Sequence, residues 1–172
     1  MPSTYTLISS NVLSTTAASV TFSAIPSTYT DLVLSISARS DYAGANDQIK
    51  LQLNTDTSTN YSMTRLYGDG ANAASTANSN QSPTFLGYFS GGGSTSNTFG
   101  STSIYLPSYA VSQNKPISVH SVMETNATTA FMNVTASLWR NTAAVNQIVM
   151  TTLNAANFVS GSSFYLYGIK NS

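Results

Sequence analysis

Charge is what this sequence lacks most. Its 172 residues include six Lys or Arg and six Asp or Glu, 7% of the chain, and the formal charges sum to zero. Ordinary soluble domains carry about 25% charged residues. Because catalytic acids, bases and metal ligands come largely from those residue types, the composition argues against an enzyme. A neutral surface without like-charge repulsion also tends to associate.

Cysteine is absent, and histidine occurs once, as His120. The chain therefore has no disulfide, no thiolate nucleophile and no cysteine-ligated zinc. No pair of acids is marked out for glycoside hydrolysis, and no Gly-x-Ser-x-Gly elbow accompanies His120. We predict a non-enzymatic protein with no cofactor, no catalytic residue and no metal site. One alternative stays open: Asp41 and Asp47 flank an oxygen-rich loop where calcium could bind, although an ordinary strand connection is favoured.

Basic clusters and long apolar runs are missing as well. The Lys and Arg residues are scattered singly, whereas a nucleic-acid surface needs them clustered. No apolar run approaches the ~20 residues of a membrane helix. The N-terminus lacks the basic and apolar regions of a signal peptide. These absences predict no nucleic-acid partner, no membrane association and synthesis in the cytoplasm.

Serine, threonine and asparagine replace the missing charge and make up about 40% of the chain, beside 41% hydrophobic residues. Apolar and polar residues alternate over many segments, and this period of two is typical of half-buried strands. In residues 30–40, for example, Leu32, Leu34, Ile36 and Ala38 share one face. Ten segments are predicted as strands: residues 5–9, 19–25, 30–40, 47–54, 61–67, 98–106, 116–124, 129–139, 145–151 and 162–169.

The predicted fold is all-β, a single domain over residues 1–172. About ten strands, each with one polar face, favour an antiparallel β-sandwich that is jelly-roll-like. Two segments rich in small residues, near 71–82 and 90–97, are predicted as long loops. Proteins usually protect sheet edges with charges or proline. Since few charges are present here, we expect partner subunits to cover the edges.

Aromatic residues are the candidates for contact with a partner. In residues 129–139, the alternation predicts that Met132, Val134 and Leu138 face the core. Phe131 and Trp139 would then lie on the polar face, where an aromatic can anchor an interface or form a sugar platform. Tyr5, Tyr165 and Tyr167 in the terminal strands are further candidates. We favour a protein interface and keep a weak glycan contact as the alternative.

Several segments together resemble small virion structural proteins of tailed bacteriophages, of the kind found in phages of cyanobacteria and marine bacteria. The resemblance spans nearly the whole chain in order. The segments that carry it are residues 5–8 (YTLI), 25–34 (IPSTYTDLVL), 60–70 (NYSMTRLYGDG), 126–130 (NATTA), 138–144 (LWRNTAA) and 164–169 (FYLYGI).

The resemblance implies a virion component that is made in the host cytoplasm. Combined with the neutral, β-rich composition, it favours a capsid decoration (cement) protein on the capsid exterior. Such a protein binds the major capsid protein and copies of itself, expected here as a homotrimer, and stabilises the shell. The alternative is a tail or fibre component that binds host surface polysaccharide. No heptad or Gly-X-Y shaft supports that alternative.

Overall fold

The chain folds into β-strands throughout the part that the computed structural model describes, residues 4–127 and 129–170, where no helix occurs. The strands number twelve rather than about ten. They are β1 (Tyr5–Val12), β2 (Ser19–Phe22), β3 (Asp31–Ala38), β4 (Asn46–Leu53), β5 (Tyr61–Gly68), β6 (Ala73–Gln81), β7 (Thr84–Ser90), β8 (Gly100–Leu106), β9 (Lys115–Met123), β10 (Phe131–Trp139), β11 (Ile148–Thr152) and β12 (Ser163–Ile169).

Two antiparallel sheets form a β-sandwich, which confirms the predicted fold class. The large sheet has eight strands in the order β1-β12-β3-β8-β9-β10-β5-β6, and the small sheet has four in the order β2-β11-β4-β7. The pairing is nested along the chain: β1 pairs with β12, β2 with β11, and β4 with β7. Segments far apart in the sequence are therefore paired within the same sheets.

The alternating pattern explains most of the core. In β3, Leu32, Leu34 and Ile36 are buried as predicted, and in β4 the same holds for Ile49 and Leu51. These side chains lie on the inner faces because successive strand residues point to opposite sides of a sheet. Aromatic rings contribute much of the core; the largest fully buried ones are Trp139, Tyr61, Tyr109, Phe89, Phe158 and Phe164.

Strand β10 is oriented opposite to the prediction. Met132 is 65% exposed and Val134 is 48% exposed, whereas Asn133, Thr135 and Ser137 are buried. The reason lies in β7, the edge strand of the small sheet, which lies across the inner face of β10. Its backbone polar groups need hydrogen-bond partners there, and polar side chains supply them.

Specific hydrogen bonds join β10 to β7. The Tyr88 N–H donates to Asn133 Oδ1 at 3.2 Å, and Thr135 Oγ1 donates to the Leu86 carbonyl at 2.9 Å. Gly87 permits a close approach of β7 to the neighbouring strand β9, since a Cβ there would lie 2.6 Å from the Ser121 hydroxyl. The side chains of β10 thus satisfy an edge that would otherwise need charges or a partner subunit.

The segment near 71–82 is mostly a strand and not the predicted long loop. β6 pairs with β5 from Gly68 opposite Ala73 to Tyr61 opposite Gln81, with a bulge between. Its sequence, AASTANSNQ, has small polar residues of low strand propensity and hides the period of two. The other segment does connect strands: residues 91–99 join β7 to β8. No helix of the described residues is long and apolar enough to cross a membrane.

Candidate functional site

The outer face of the large sheet is the candidate site, because it combines exposed apolar side chains with an absence of charge. Register places its residues in three rows that each cross all eight strands. From β1 to β6, the rows are Leu7, Tyr167, Val33, Tyr105, Ser118, Ala136, Thr64, Ala77; Ser10, Tyr165, Ser35, Ser103, His120, Val134, Leu66, Ser75; and Val12, Ser163, Ser37, Ser101, Val122, Met132, Gly68, Ala73. None of these residues is Asp, Glu, Lys or Arg.

One end of this face carries what we name the apolar patch, formed by Leu66, Val122, Met132 and Val134. Val134 lies opposite Leu66 on β5, and Met132 lies opposite Val122 on β9. All four side chains are roughly half exposed or more, and they surround a shallow depression of about 290 Å³. Contiguous apolar surface of this kind marks an interaction site in a soluble protein.

The other end carries what we name the tyrosine cluster, formed by Tyr5, Tyr105, Tyr165 and Tyr167. The Tyr5 and Tyr167 rings meet edge to face with centroids 6.3 Å apart, and Tyr165 stacks on Tyr167 at 6.4 Å. The Tyr105 hydroxyl donates to the Asp31 carboxylate at 2.9 Å. Burial and this hydrogen bond raise the pKa of Tyr105, so it stays a neutral donor near pH 7.

The charged side chains lie elsewhere, and most of them bind neutral groups within the chain. Arg39 is the fullest example: its guanidinium donates to the carbonyls of Gly92, Ser94, Thr95 and Thr98. It thereby fixes the 91–99 loop. The other charged residues that hydrogen-bond to neutral partners are Asp31, Asp41, Asp47, Asp56, Arg65, Asp69, Lys115, Glu124 and Arg140.

Lys115 shows how far this internal use of charge goes. The side chain is fully buried, and its ammonium donates to the carbonyls of Val111 and Gln113. Burial lowers the pKa of Lys115. An ammonium without a carboxylate partner is costly to bury unless carbonyls replace its water. Lys115 therefore joins the 111–114 turn to the start of β9 and is not available to a ligand.

Two of the predicted contact residues lie on the inner face of β10 rather than the outer one, which corrects the prediction: Trp139 is buried and Phe131 is half-buried. Trp139 is fully buried; its indole N–H donates to Asp56 Oδ2 at 2.8 Å, and its ring stacks on Tyr61. Phe131 also points inward, stacked on Tyr88 with ring centroids 4.2 Å apart. Both residues share the inner face of β10 with Asn133, so neither can contact a partner through the outer face.

The other three predicted residues, Tyr5, Tyr165 and Tyr167, are brought together in the tyrosine cluster. The sequence did not predict the apolar patch, because the alternation in β10 predicted that Met132 and Val134 face the core. One feature of the sequence does point to the patch: β10 has aromatic and apolar residues on both of its faces. Hydrophobicity therefore cannot select the inner face of β10. The polar residues of the strand select it, because their hydrogen-bond partners are buried. The same holds in β5, where the apolar Leu66 is exposed and the neighbouring Arg65 is buried.

The chemistry of the acids and of His120 is limited by what surrounds them. Asp41 accepts both donors of Asn157, and Asp47 accepts from Ser40 and Asn154. Calcium would have to displace those donors. Within residues 4–127 and 129–170, no group of three or more His, Asp or Glu side chains is placed to hold a metal. His120 is exposed between Ser103 and Val134 in the middle row.

Comparison of the chain with known protein families, with curated proteins and with solved structures finds no match.

Proposed function

We propose that this protein is a non-enzymatic virion structural protein, a capsid decoration protein that binds the exterior of a shell made by a major capsid protein. The observation that carries the proposal is the charge-free outer face of the large sheet, with its apolar patch. A surface with neither charges nor a deep cleft suits a flat protein partner better than a small substrate.

A partner protein can cover this face at a low cost in free energy, because the face has no charged groups to desolvate. Burying charged groups in an interface requires desolvation that is often poorly compensated. Here Ser, Thr and Tyr hydroxyls can exchange water for partner carbonyls, while Leu66 and Met132 supply apolar area at about 25 cal/mol per Å². A repeated shell offers many copies of one partner surface, so modest affinity at each contact is sufficient for a decoration protein.

The strand order is compatible with a jelly roll extended by insertion, and this supports the proposal by analogy. The nested strands β1 to β4, β7, β8, β11 and β12 form two groups of four, β1-β12-β3-β8 and β2-β11-β4-β7. Two inserted hairpin-like pairs, β5 with β6 and β9 with β10, widen one sheet. Viral capsid proteins and lectins both use jelly rolls, so the fold alone does not choose between a shell partner and a sugar.

The test is reconstitution on particles that lack the protein. Purified protein should co-sediment with the shells and raise the temperature at which they release their contents. Met132→Lys and Leu66→Lys each place a charge in the apolar patch at an exposed site. Both variants should fold normally, yet lose at least about tenfold in shell affinity, because an unpaired charge would be buried.

The matched control is Thr21→Lys, which adds the same charge at an exposed position of β2 in the small sheet. It should bind shells like the unaltered chain. If decorated and undecorated shells withstand heat and low salt equally, the cement role is wrong. If Thr21→Lys weakens binding as much as Met132→Lys does, the face has been assigned wrongly.

The second candidate function is a tail or fibre component that binds host surface polysaccharide, and the tyrosine cluster favours it. Tyr5 and Tyr105 are exposed and Tyr165 and Tyr167 are half-buried, and such rings offer apolar faces beside hydroxyl groups, a combination that suits sugars. A glycan array should then give binding that soluble sugar competes, and Tyr167→Ala should abolish it. Binding that survives Tyr167→Ala would contradict a glycan site in this cluster.

A further inference from the structure

Strand β1 is an open edge of the large sheet. Among the described strands it pairs with β12 alone, so one side of its backbone carries N–H and C=O groups that face outward. Natural edges are usually protected by Lys, proline or inward-pointing charges. The eight residues of β1, YTLISSNV, include none of these, and a bulge is the only feature of the strand that protects edges in other proteins.

β1 is also apolar where an edge should be polar. Tyr5, Leu7 and Val12 are each more than half exposed. Ile8 is the only residue of the strand that packs against the core, and even it is half-buried. A strand that is exposed on both faces and along one edge leaves apolar area in water that a neighbouring strand would cover.

A bulge in β1 sets which residues share a face. Leu7 lies opposite Tyr167 and Ser9 lies opposite Leu166, so Ile8 is the extra residue. Beyond the bulge, Ser10 lies opposite Tyr165 and Val12 opposite Ser163. As a result Tyr5, Leu7, Ser10 and Val12 all point to the outer face, although regular alternation would have put the last two on the other side.

We propose that β1 pairs with β1 of a second copy, antiparallel and about a two-fold axis between Ile8 and Ser9. In this register Tyr5 lies opposite Val12 of the second copy, and Leu7 lies opposite its Ser10. These two kinds of pair match outer face with outer face, and Thr6 opposite Asn11 matches inner face with inner face, because the bulge has shifted the phase. The two large sheets then continue as one, with their tyrosine clusters adjacent.

A second copy fits this edge better than an unrelated protein for two reasons. The pairing uses one surface twice, which is the common isologous arrangement of homodimers. The strand is neutral and so is the whole chain, so two copies approach without repulsion. The decoration role was predicted to involve a homotrimer, whereas β1 pairing closes at two copies. This association does not depend on whether the outer face binds a shell.

The experiment uses complementary charges at the facing positions. Leu7→Lys combined with Ser10→Lys puts like charges opposite each other in the dimer, and Leu7→Glu combined with Ser10→Glu does the same with the opposite sign. Each variant alone should raise the dimer dissociation constant at least about tenfold. Mixing the two variants should restore a dimer that contains one chain of each. Analytical ultracentrifugation measures both results.

The matched control places the same lysines or glutamates on the other edge, at Ser75 and Ala77 of β6, and should leave the dimer unchanged. Since the chain has no cysteine, a mixture of Leu7→Cys and Ser10→Cys chains gives an independent test: the disulfide should join unlike chains. A wild-type chain that is monomeric at millimolar concentration, or a trimer insensitive to the charges in β1, would overturn the proposal.

Discussion

At the scale of the residue, a single distant acceptor decides which way Trp139 points. An indole N–H is satisfied in the core only where an acceptor reaches it. Asp56 does so from the β4–β5 connection, 83 residues earlier in the chain. The alternation around Trp139 carries no information about Asp56. For this reason the sequence predicted an exposed tryptophan.

Replacing Asp56 by alanine should destabilise the protein by about 1–3 kcal/mol, because the buried Trp139 N–H loses its acceptor. Asp56→Asn keeps one oxygen acceptor and should cost less. Urea unfolding measures both changes, and Trp139 is the chain's only tryptophan, so its fluorescence reports this site directly. An unchanged midpoint for Asp56→Ala would contradict the role assigned to the carboxylate.

The same carboxylate predicts a loss of stability in acid. Burial raises the pKa of Asp56, but hydrogen bonds from Asn60, Trp139 and Ser58 outweigh it and hold the pKa well below the ordinary 3.8. Its contribution to stability is therefore fully present above about pH 4 and is lost as the pH falls toward the folded-state pKa. The stability difference between the unaltered chain and Asp56→Ala should shrink from pH 5 to pH 2 in urea titrations. A constant difference would exclude this linkage.

At the scale of the element, the strands with strict alternation and apolar inner faces were predictable, and two others were not. β3 and β4 have a single face that can be buried. β10 has two faces that can be buried. The β7 backbone needs polar partners, and this need alone decides that the face of Asn133 is buried and the face of Met132 is exposed. β6 has no apolar face. Its pairing with β5 depends on the tertiary structure and cannot be predicted from the composition of the strand.

The orientation of β10 can be tested with two adjacent residues. Asn133→Ala removes hydrogen bonds to Tyr88 N–H, the Leu86 carbonyl and Thr135 Oγ1. We expect it to cost at least about 2 kcal/mol, since the partners are buried. Val134→Ala on the exposed face should cost less than about 1 kcal/mol. Urea unfolding distinguishes the two, and the reverse order would restore the orientation predicted from the sequence.

The conformation of the 91–99 loop should depend on the guanidinium of Arg39. The guanidinium donates to carbonyls on both arms of the loop, including Gly92 O at 3.1 Å and Thr98 O at 3.0 Å. Arg39→Lys keeps the charge but cannot reproduce the planar set of donors. Hydrogen exchange at residues 91–99 should quicken at least about tenfold in both Arg39→Lys and Arg39→Ala. If Arg39→Lys alone retains slow exchange, charge rather than geometry fixes the loop.

At the scale of the whole molecule, the scarcity of charge has a structural explanation. Most of the charged side chains are held by carbonyls, amides and hydroxyls of the chain itself, as Arg39 and Lys115 illustrate. The outer face of the large sheet is neutral because none of these residues occupies its three rows. The composition could predict a surface suited to association, but the face that offers it follows only from register across eight strands.

A neutral contact surface predicts binding that salt barely affects. Attraction between charged surfaces weakens as ions screen it, with a Debye length of about 10 Å at 0.1 M. Neither the outer face nor β1 carries a formal charge, so the affinities for shells and for a second copy should change less than about twofold between 0.05 and 0.5 M sodium chloride. The mixed dimer of the Leu7→Lys, Ser10→Lys chain with the Leu7→Glu, Ser10→Glu chain is the control, because salt should weaken it clearly. Titration at several salt concentrations measures both. A steep salt dependence of the unaltered chain would mean that charges outside the three rows, such as Lys50 or Lys170, make the contact.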